Sequence, residues 1–281
     1  MPGPVTLPAL LGDYPVTRAL KSGTVGSPFV RLAFADVPNA AAGFKRAVRD
    51  LEFDVAELAI VTFLLAKAHG KPFVLLPAVV LGRFQHPYLV GHRDRPLAPG
   101  DLTGRRVGIR SYSVTTVTWL RGILADDYGV DLDRVTWVTF EEPHVAEFRD
   151  PPGVQRAAPG KDLLGMLLAG EIDAAILGGT PPNDPRVVPL IPDPPAAART
   201  WQEKYGAIQI NHMVAVKTSL APDVVREVYR LLVESRKAAG GDTLPFGLEA
   251  NRRNLDVAID TVYRQRLIPR RFTVDECVFE P

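Results

Sequence analysis

Two groups of residues in this sequence have the types and spacing to do chemistry. The first is Ser111, Ser113, Thr115 and Thr116, which follow the β-branched run at 107–109 and precede Trp119, Leu120, Ile123 and Leu124 at helical spacing. That order predicts strand, loop and helix, with hydroxyls and free backbone N–H groups gathered at a helix N-terminus, where peptide dipoles favour an anionic oxygen. We read the loop as a carboxylate cradle; the competing role is a helix cap formed by Ser113 or Thr115. The second group is ionisable. Glu57 interrupts the most apolar stretch of the chain, residues 55–68, so it is expected to be at least partly buried with a partner. A desolvated carboxyl has a raised pKa suited to proton transfer, whereas a carboxylate in the first turn of the following helix would merely be held by the dipole. Arg18 follows the first predicted strand, and Arg83 lies just after the strand predicted at 73–80. Each guanidinium can bind a carboxylate through two parallel hydrogen bonds, and Arg110 and Arg121 could contribute. Asp13 sits with Gly12 and Tyr14 at the carboxyl edge of the first strand, where open α/β sheets place ligands; Asp54 is a similar acid. Glu141 and Glu142 are expected in a solvated loop. Among the five histidines, His69 and His92 are expected at the surface. Histidines, acids and the single Cys277 fall in no metal-ligand spacing, so no metal is expected.

The elements that must hold these residues alternate along the chain. Strands are predicted at 6–11, 30–34 and 73–80, and a helix is entered near Thr17. Phe44, Val48 and Leu51 suit one helix face, and 53–58 is a buried strand or loop leading into a Leu- and Ala-rich helix. A second series follows: strands at 88–90, 107–109, 135–138 and 173–177, with helices at 117–128 and 162–169. A return strand at 208–216 leads to an amphipathic helix at 222–238, with Val225, Val228, Leu231 and Leu232 inward, and then to a helical stretch at 248–266. Such alternation predicts an α/β fold with largely parallel sheets.

Composition narrows the partners. Of 281 residues, 33 are Lys or Arg and 32 Asp or Glu, a net charge of +1 that creates no field for nucleic acid or an anionic membrane. A small-molecule partner is expected, and a homo-oligomer is compatible with the composition. The first residues lack the basic and apolar regions of a secretory signal, and a lone cysteine forms no intrachain disulfide, so a cytoplasmic location is expected.

The order of these elements, the entry Leu102-Thr-Gly-Arg-Arg-Val-Gly108 and the run Ala169-Gly-Glu-Ile-Asp173 together resemble the type II periplasmic binding protein fold. The resemblance implies two α/β lobes, 1–90 with 217–281 and 91–216, joined by crossing segments near 86–92 and 211–216, with ligand held in the cleft between them. Leu11-Gly-Asp-Tyr14 with Thr17-Arg-Ala-Leu20, Glu52-Phe-Asp-Val-Ala-Glu-Leu58, Arg83-Phe-Gln-His86, Trp119-Leu-Arg-Gly-Ile-Leu124, and Tyr128-Gly-Val-Asp131 with Val135-Thr-Trp-Val138 resemble the 4,5-dihydroxyphthalate decarboxylase family. Gln85, Pro87-Tyr88 and the short 24–43 region depart from its pattern.

What this resemblance implies is cofactor-independent decarboxylation of a hydroxylated aromatic acid by ring-carbon protonation and loss of CO2. Such chemistry needs an acid, a phenol partner and an anion clamp. His86 or His212, both on the implied crossing segments, would supply the acid because imidazole titrates near neutrality; His144 is a weaker candidate. Glu57 would serve the phenol, while Asp13, Arg18, Arg83, Ser111, Ser113, Thr115 and Thr116 would hold the substrate. Two other roles share the fold: a non-catalytic small-carboxylate-binding protein of the ABC-transporter class, and a menaquinone-pathway enzyme.

Overall fold

The computed structural model describes residues 3–240 and 244–281; Met1, Pro2 and residues 241–243, all within the implied first lobe, lie outside the described residues. The chain opens with β1 (Val5–Leu10), α1 (Pro15–Lys21), β2 (Val30–Phe34), α2 (Phe44–Arg49), β3 (Val55–Ala59), α3 (Ile60–Ala68) and β4 (Phe73–Gly82). A second series comprises β5 (Leu89–His92), β6 (Arg106–Ile109), α4 (Thr115–Tyr128), β7 (Thr136–Thr139), β8 (Gln155–Arg156), α5 (Leu163–Ala169), β9 (Ala174–Ile176), β10 (Val187–Pro189) and α6 (Pro194–Tyr205). The chain finishes with β11 (Ile210–Lys217), α7 (Pro222–Ala238), α8 (Leu248–Arg264) and α9 (Val274–Cys277).

These elements separate into two compact units. Unit 1 takes the chain up to Arg83, the three residues His144–Ala146, and everything from Ile210 on; unit 2 takes Phe84–Pro143 and Glu147–Gln209. The implied lobe boundaries therefore shift at both joins. Residues 84–90 belong to unit 2, where β5 pairs with β9 and β10, and residues 210–216 belong to unit 1, where β11 lies between β3 and β4. Of the implied crossing segments, residues 89–92 are committed to the sheet of unit 2, after one 3-10 turn at His86–Tyr88, and residues 211–216 to the sheet of unit 1.

Among the described residues, unit 1 carries a five-stranded sheet in the order β2-β1-β3-β11-β4. β1 pairs in parallel with β2 and β3, while β11 runs antiparallel to both β3 and β4. β3 is buried at every position, as expected of a central strand covered on both faces. The inward stripe of α7, Val225, Val228, Leu231 and Leu232, packs with Leu7, Ala9, Val16 and Leu20 into one core. Unit 2 carries a six-stranded sheet, β10-β5-β9-β6-β7-β8, parallel from β9 to β8 and antiparallel at β5 and β10. Its core gathers Val90, Val138, Leu167, Ile172 and Ala175.

Differences from the sequence reading have local causes. Leu51 falls beyond α2 at a φ of 52°, so it does not continue that helical face. The sequence pattern does not announce α6, because its opening Pro194-Pro-Ala-Ala-Ala run resembles a loop and only Ala198 and Trp201 are buried along it. No helix among the described residues is long and apolar enough to cross a membrane.

Candidate active site

The ionisable centre of unit 1 is built on β3 and β11. In their antiparallel register Val214 stands opposite Glu57 and His212 opposite Ala59. Side chains alternate along a strand, so Glu57 and His212 are diagonal neighbours on one face. Glu57 is 0% exposed, and a carboxylate buried that deeply must find donors within the protein. It has three: the Gly12 N–H reaches Oε2 at 2.7 Å, the Tyr14 hydroxyl reaches Oε1 at 2.7 Å, and His212 Nδ1 meets the same Oε1 at 2.5 Å. Where Glu57 is a carboxylate it can only accept, and in that state His212 donates to it from Nδ1. His212 retains 15% side-chain exposure, and its Nε2 makes no hydrogen bond among the described residues. The pairing register of β11 on β4 is irregular around His212 and Met213. Irregularities of this kind re-aim side chains near active sites.

Tyr14 is held from its own segment. Its N–H donates to Thr17 Oγ1 at 2.9 Å, and that hydroxyl donates to the Gly12 carbonyl at 2.7 Å, fastening the turn before α1. Pro15 then opens the helix, where its missing N–H costs nothing. Gly12 is required by close approach, since a Cβ there would lie 2.5 Å from the Tyr14 ring. Burial, with Glu57 beside it, raises the Tyr14 pKa, so the phenol keeps its proton. The Arg83 cation pulls in the opposite direction, which places its charge near Tyr14.

Two aromatic contacts extend the cluster. Phe44, at the start of α2, meets the His212 ring edge-to-face at 5.2 Å between centroids and the His144 ring in the same manner at 5.5 Å. His144 Nδ1 is 2.8 Å from Thr62 Oγ1 on α3.

The other residues singled out from sequence are placed differently. Arg18 and Asp13 pair with each other at 3.4 Å, both about two-thirds exposed, and neither bonds Glu57 or His212. Asp54 pairs with Lys217 at 2.9 Å. In unit 2, Ser111, Ser113, Thr115 and Thr116 are all buried before and in the first turn of α4. The N-cap residue of α4 is Val114, whose side chain makes no capping hydrogen bond. Ser111 Oγ has no hydrogen-bond partner among the described residues. Arg110 pairs with Glu141 at 3.3 Å. Arg121 is fully buried, its guanidinium stacked 3.7 Å from the centre of the Tyr112 ring, and burial lowers its pKa to about 10. His86 lies in unit 2, where burial lowers its pKa to about 4, and the ring is uncharged at neutral pH. His92 is buried rather than exposed, its Nδ1 accepting the Asp94 N–H at 3.1 Å. Among the described residues no three His, Cys, Asp or Glu side chains converge as metal ligands would.

Sequence reasoning did not single out Gly12, Tyr14, Phe44 or Thr62 as site residues. Gly12-Asp-Tyr14 lies within one of the family motifs, and a glycine two residues before a tyrosine at a strand end is the available signal. Nothing in the sequence marked Phe44 or Thr62, which read as core.

No protein-family model matches the chain. It is 30% identical over 225 residues to the 4,5-dihydroxyphthalate decarboxylase of Comamonas testosteroni, covering 75% of this chain and 68% of that protein. It is also 30% identical over 211 residues to the protein of the same name from Pseudomonas putida, covering 70% and 81%. The periplasmic aliphatic sulphonate binding protein SsuA of Escherichia coli superposes with a TM-score of 0.62 at 13% identity, covering 99% of this chain and 98% of that one. Similarity of shape at so low an identity shows a shared fold, the type II periplasmic binding protein fold, and nothing about ligand.

Proposed function

From the premise that this chain belongs to the 4,5-dihydroxyphthalate decarboxylase family, and so is a carboxy-lyase, we propose that His212 is the general acid that replaces CO2 by a proton on an electron-rich aromatic ring. The observation that carries this reading is the Glu57–His212 pair, with Nδ1 committed to a buried carboxylate and Nε2 unbonded among the described residues. A carboxylate at Nδ1 holds the ring in one orientation and leaves Nε2 to face a substrate, which is what a proton donor at Nε2 needs. Glu57 has both oxygens engaged as acceptors, so in this reading it orients His212 rather than passing protons to a phenol.

The substrate that fits is of the 4,5-dihydroxyphthalate type, the compound in the names of the relatives. Each hydroxyl lies para to a carboxylated carbon and pushes electron density onto it. The Nε2 proton moves to that carbon, the C–C bond to the carboxylate breaks, its electron pair restores the aromatic sextet, and CO2 departs. The product is the corresponding 3,4-dihydroxybenzoate. No step requires an electron-sink cofactor, because the ring hydroxyl provides the electrons and the histidine the proton. Within unit 1, Arg83, whose charge is felt at Tyr14, is the candidate for holding a carboxylate; taken by itself, unit 2 offers an anion cradle of its own in the buried hydroxyls of Ser111, Ser113, Thr115 and Thr116. Arg18 and Asp13 satisfy each other at the surface and are weaker candidates. His86, uncharged at neutral pH, is not the acid in this reading.

The test is CO2 release by the purified protein from 4,5-dihydroxyphthalate and a panel of hydroxylated benzoates, with and without a chelator, alongside binding of the same compounds. Release that survives chelation and disappears in His212→Asn but not in His86→Asn is the expected result. Loss on chelation would overturn the metal-free scheme, and undiminished release by His212→Asn would overturn the assignment of the acid. Binding without release across the panel would favour a carboxylate-binding protein.

A further inference from the structure

We infer that His144 is a positioning residue for His212, acting through the ring of Phe44. The inference rests on the reading of His212 as the acid and adds a group that the reaction scheme does not use. Three observations carry it. Between Phe84 and Gln209, only His144–Ala146 pack as part of unit 1, so the chain leaves unit 2 for three residues, places a histidine, and returns. That histidine is fixed at both ends: its carbonyl accepts the Arg49 Nε–H at 2.9 Å from the end of α2, and its Nδ1 lies 2.8 Å from Thr62 Oγ1 in the first turn of α3. His144, Thr62 and Phe44 are all buried. Finally, the His144 and His212 rings stand on the same phenyl ring, at interplanar angles of 79° and 77°.

The physical consequence is a rigid relay of orientation. The Thr62 hydrogen bond, the Arg49 bond to its carbonyl and burial together hold His144, and an edge-to-face contact has a preferred angle, so His144 restricts rotation of Phe44 about its own ring axis. Phe44 in turn stands edge-to-face on His212, while Glu57 holds only one nitrogen of that ring. One hydrogen bond at Nδ1 fixes a point but leaves the imidazole free to swing about it. The Phe44 contact removes that swing and fixes the direction of Nε2. Proton transfer to carbon tolerates little misdirection, so the loss of this restraint falls on turnover rather than on substrate affinity.

The test uses Thr62→Val, which removes the hydroxyl; Thr62→Ser, which keeps it; and His144→Phe, which keeps a ring but not the hydrogen bond. Thr62→Val and His144→Phe are expected to lower kcat about tenfold with KM within about twofold, and Thr62→Ser to behave as wild type. Nitrogen NMR of the His212 ring is expected to shift in Thr62→Val and not in Thr62→Ser, a readout that needs no substrate. Unchanged His212 resonances in Thr62→Val would overturn the inference, as would wild-type kcat in folded His144→Phe or a loss that Thr62→Ser shares. Should Thr62→Val not fold, the same nitrogen spectrum of His144→Phe decides. His212→Asn separates the two claims: if it is inactive while both relay variants turn over normally, only the role of His144 falls; if it is active, the reading beneath it falls.

Discussion

Glu57 and His212 share a short hydrogen bond, and in the proposed reading they act as a unit, which their variants are expected to show. Replacing Glu57 by Gln presents an amide N–H where the carboxylate accepts from Gly12, Tyr14 and His212, so the ring loses both its charge partner and its set tautomer. Glu57→Gln is expected to lower kcat at least a hundredfold (~100-fold or more), and the Glu57→Gln/His212→Asn double variant to be no worse than His212→Asn alone. Fully additive losses in kcat would show that the two side chains work separately. His86 makes a prediction of opposite kind, about stability. The folded protein leaves this ring unprotonated down to about pH 4, whereas the unfolded chain takes up its proton near the ordinary value of 6.5. Between those values the unfolded state binds more protons, so stability from this site is complete above pH 6.5 and drains away as pH falls towards 4. Thermal melts at pH 7 and pH 5 are expected to differ less in His86→Asn than in the wild type. Equal differences would mean that His86 titrates alike in both states.

Within the elements, the turn between β1 and α1 does the finest positioning. A methyl group at Gly12 would occupy the space of the Tyr14 ring, so Gly12→Ala is expected to push the hydroxyl off Glu57. Gly12→Ala and Tyr14→Phe should then each lower kcat by about three- to tenfold, the magnitude of one lost hydrogen bond, and the double variant by no more than Gly12→Ala alone. Kinetics of the four proteins check this, and multiplying losses would show that Gly12 serves some other contact. In α4 the element carries a cost instead. Arg121 is buried on a tyrosine face with no hydrogen bond from its side-chain nitrogens among the described residues. A desolvated stack of this kind contributes about 2 kcal/mol, less than the several kcal/mol that burying the charge costs. Arg121→Met, which keeps the length and removes the charge, is expected to leave the melting temperature unchanged or higher. A fall of more than about 5 °C would show that the cation stabilises unit 2.

For the whole molecule, charge balance sets how substrate arrives. With 33 basic and 32 acidic residues there is no long-range attraction for a dianion, and recognition must come from close contacts. kcat/KM for 4,5-dihydroxyphthalate is therefore expected to change less than about threefold from low to physiological ionic strength; a steep fall would reveal a local basic field. Much of this molecule follows from local pattern. Apolar periodicity and loop residues are enough to read β2 at 30–34 and α7 at 222–238, and to mark 53–58 as buried though not as strand rather than loop, and motifs such as Trp119-Leu-Arg-Gly-Ile-Leu124 are enough for the family, because each depends on residues close together in the chain. Glu57 was legible as a buried acid for the same reason: a charge inside an apolar run must find a partner. Which partner it finds was decided only by tertiary structure. His212 is 155 residues away and meets Glu57 through the register of β11 on β3, and Tyr14 arrives from a turn 43 residues upstream. The burial that leaves His86 uncharged, and the three-residue excursion that brings His144 to Phe44, are likewise set by packing between segments remote in sequence. Side-chain chemistry is carried by the residue, but its partners and its solvation are properties of the fold.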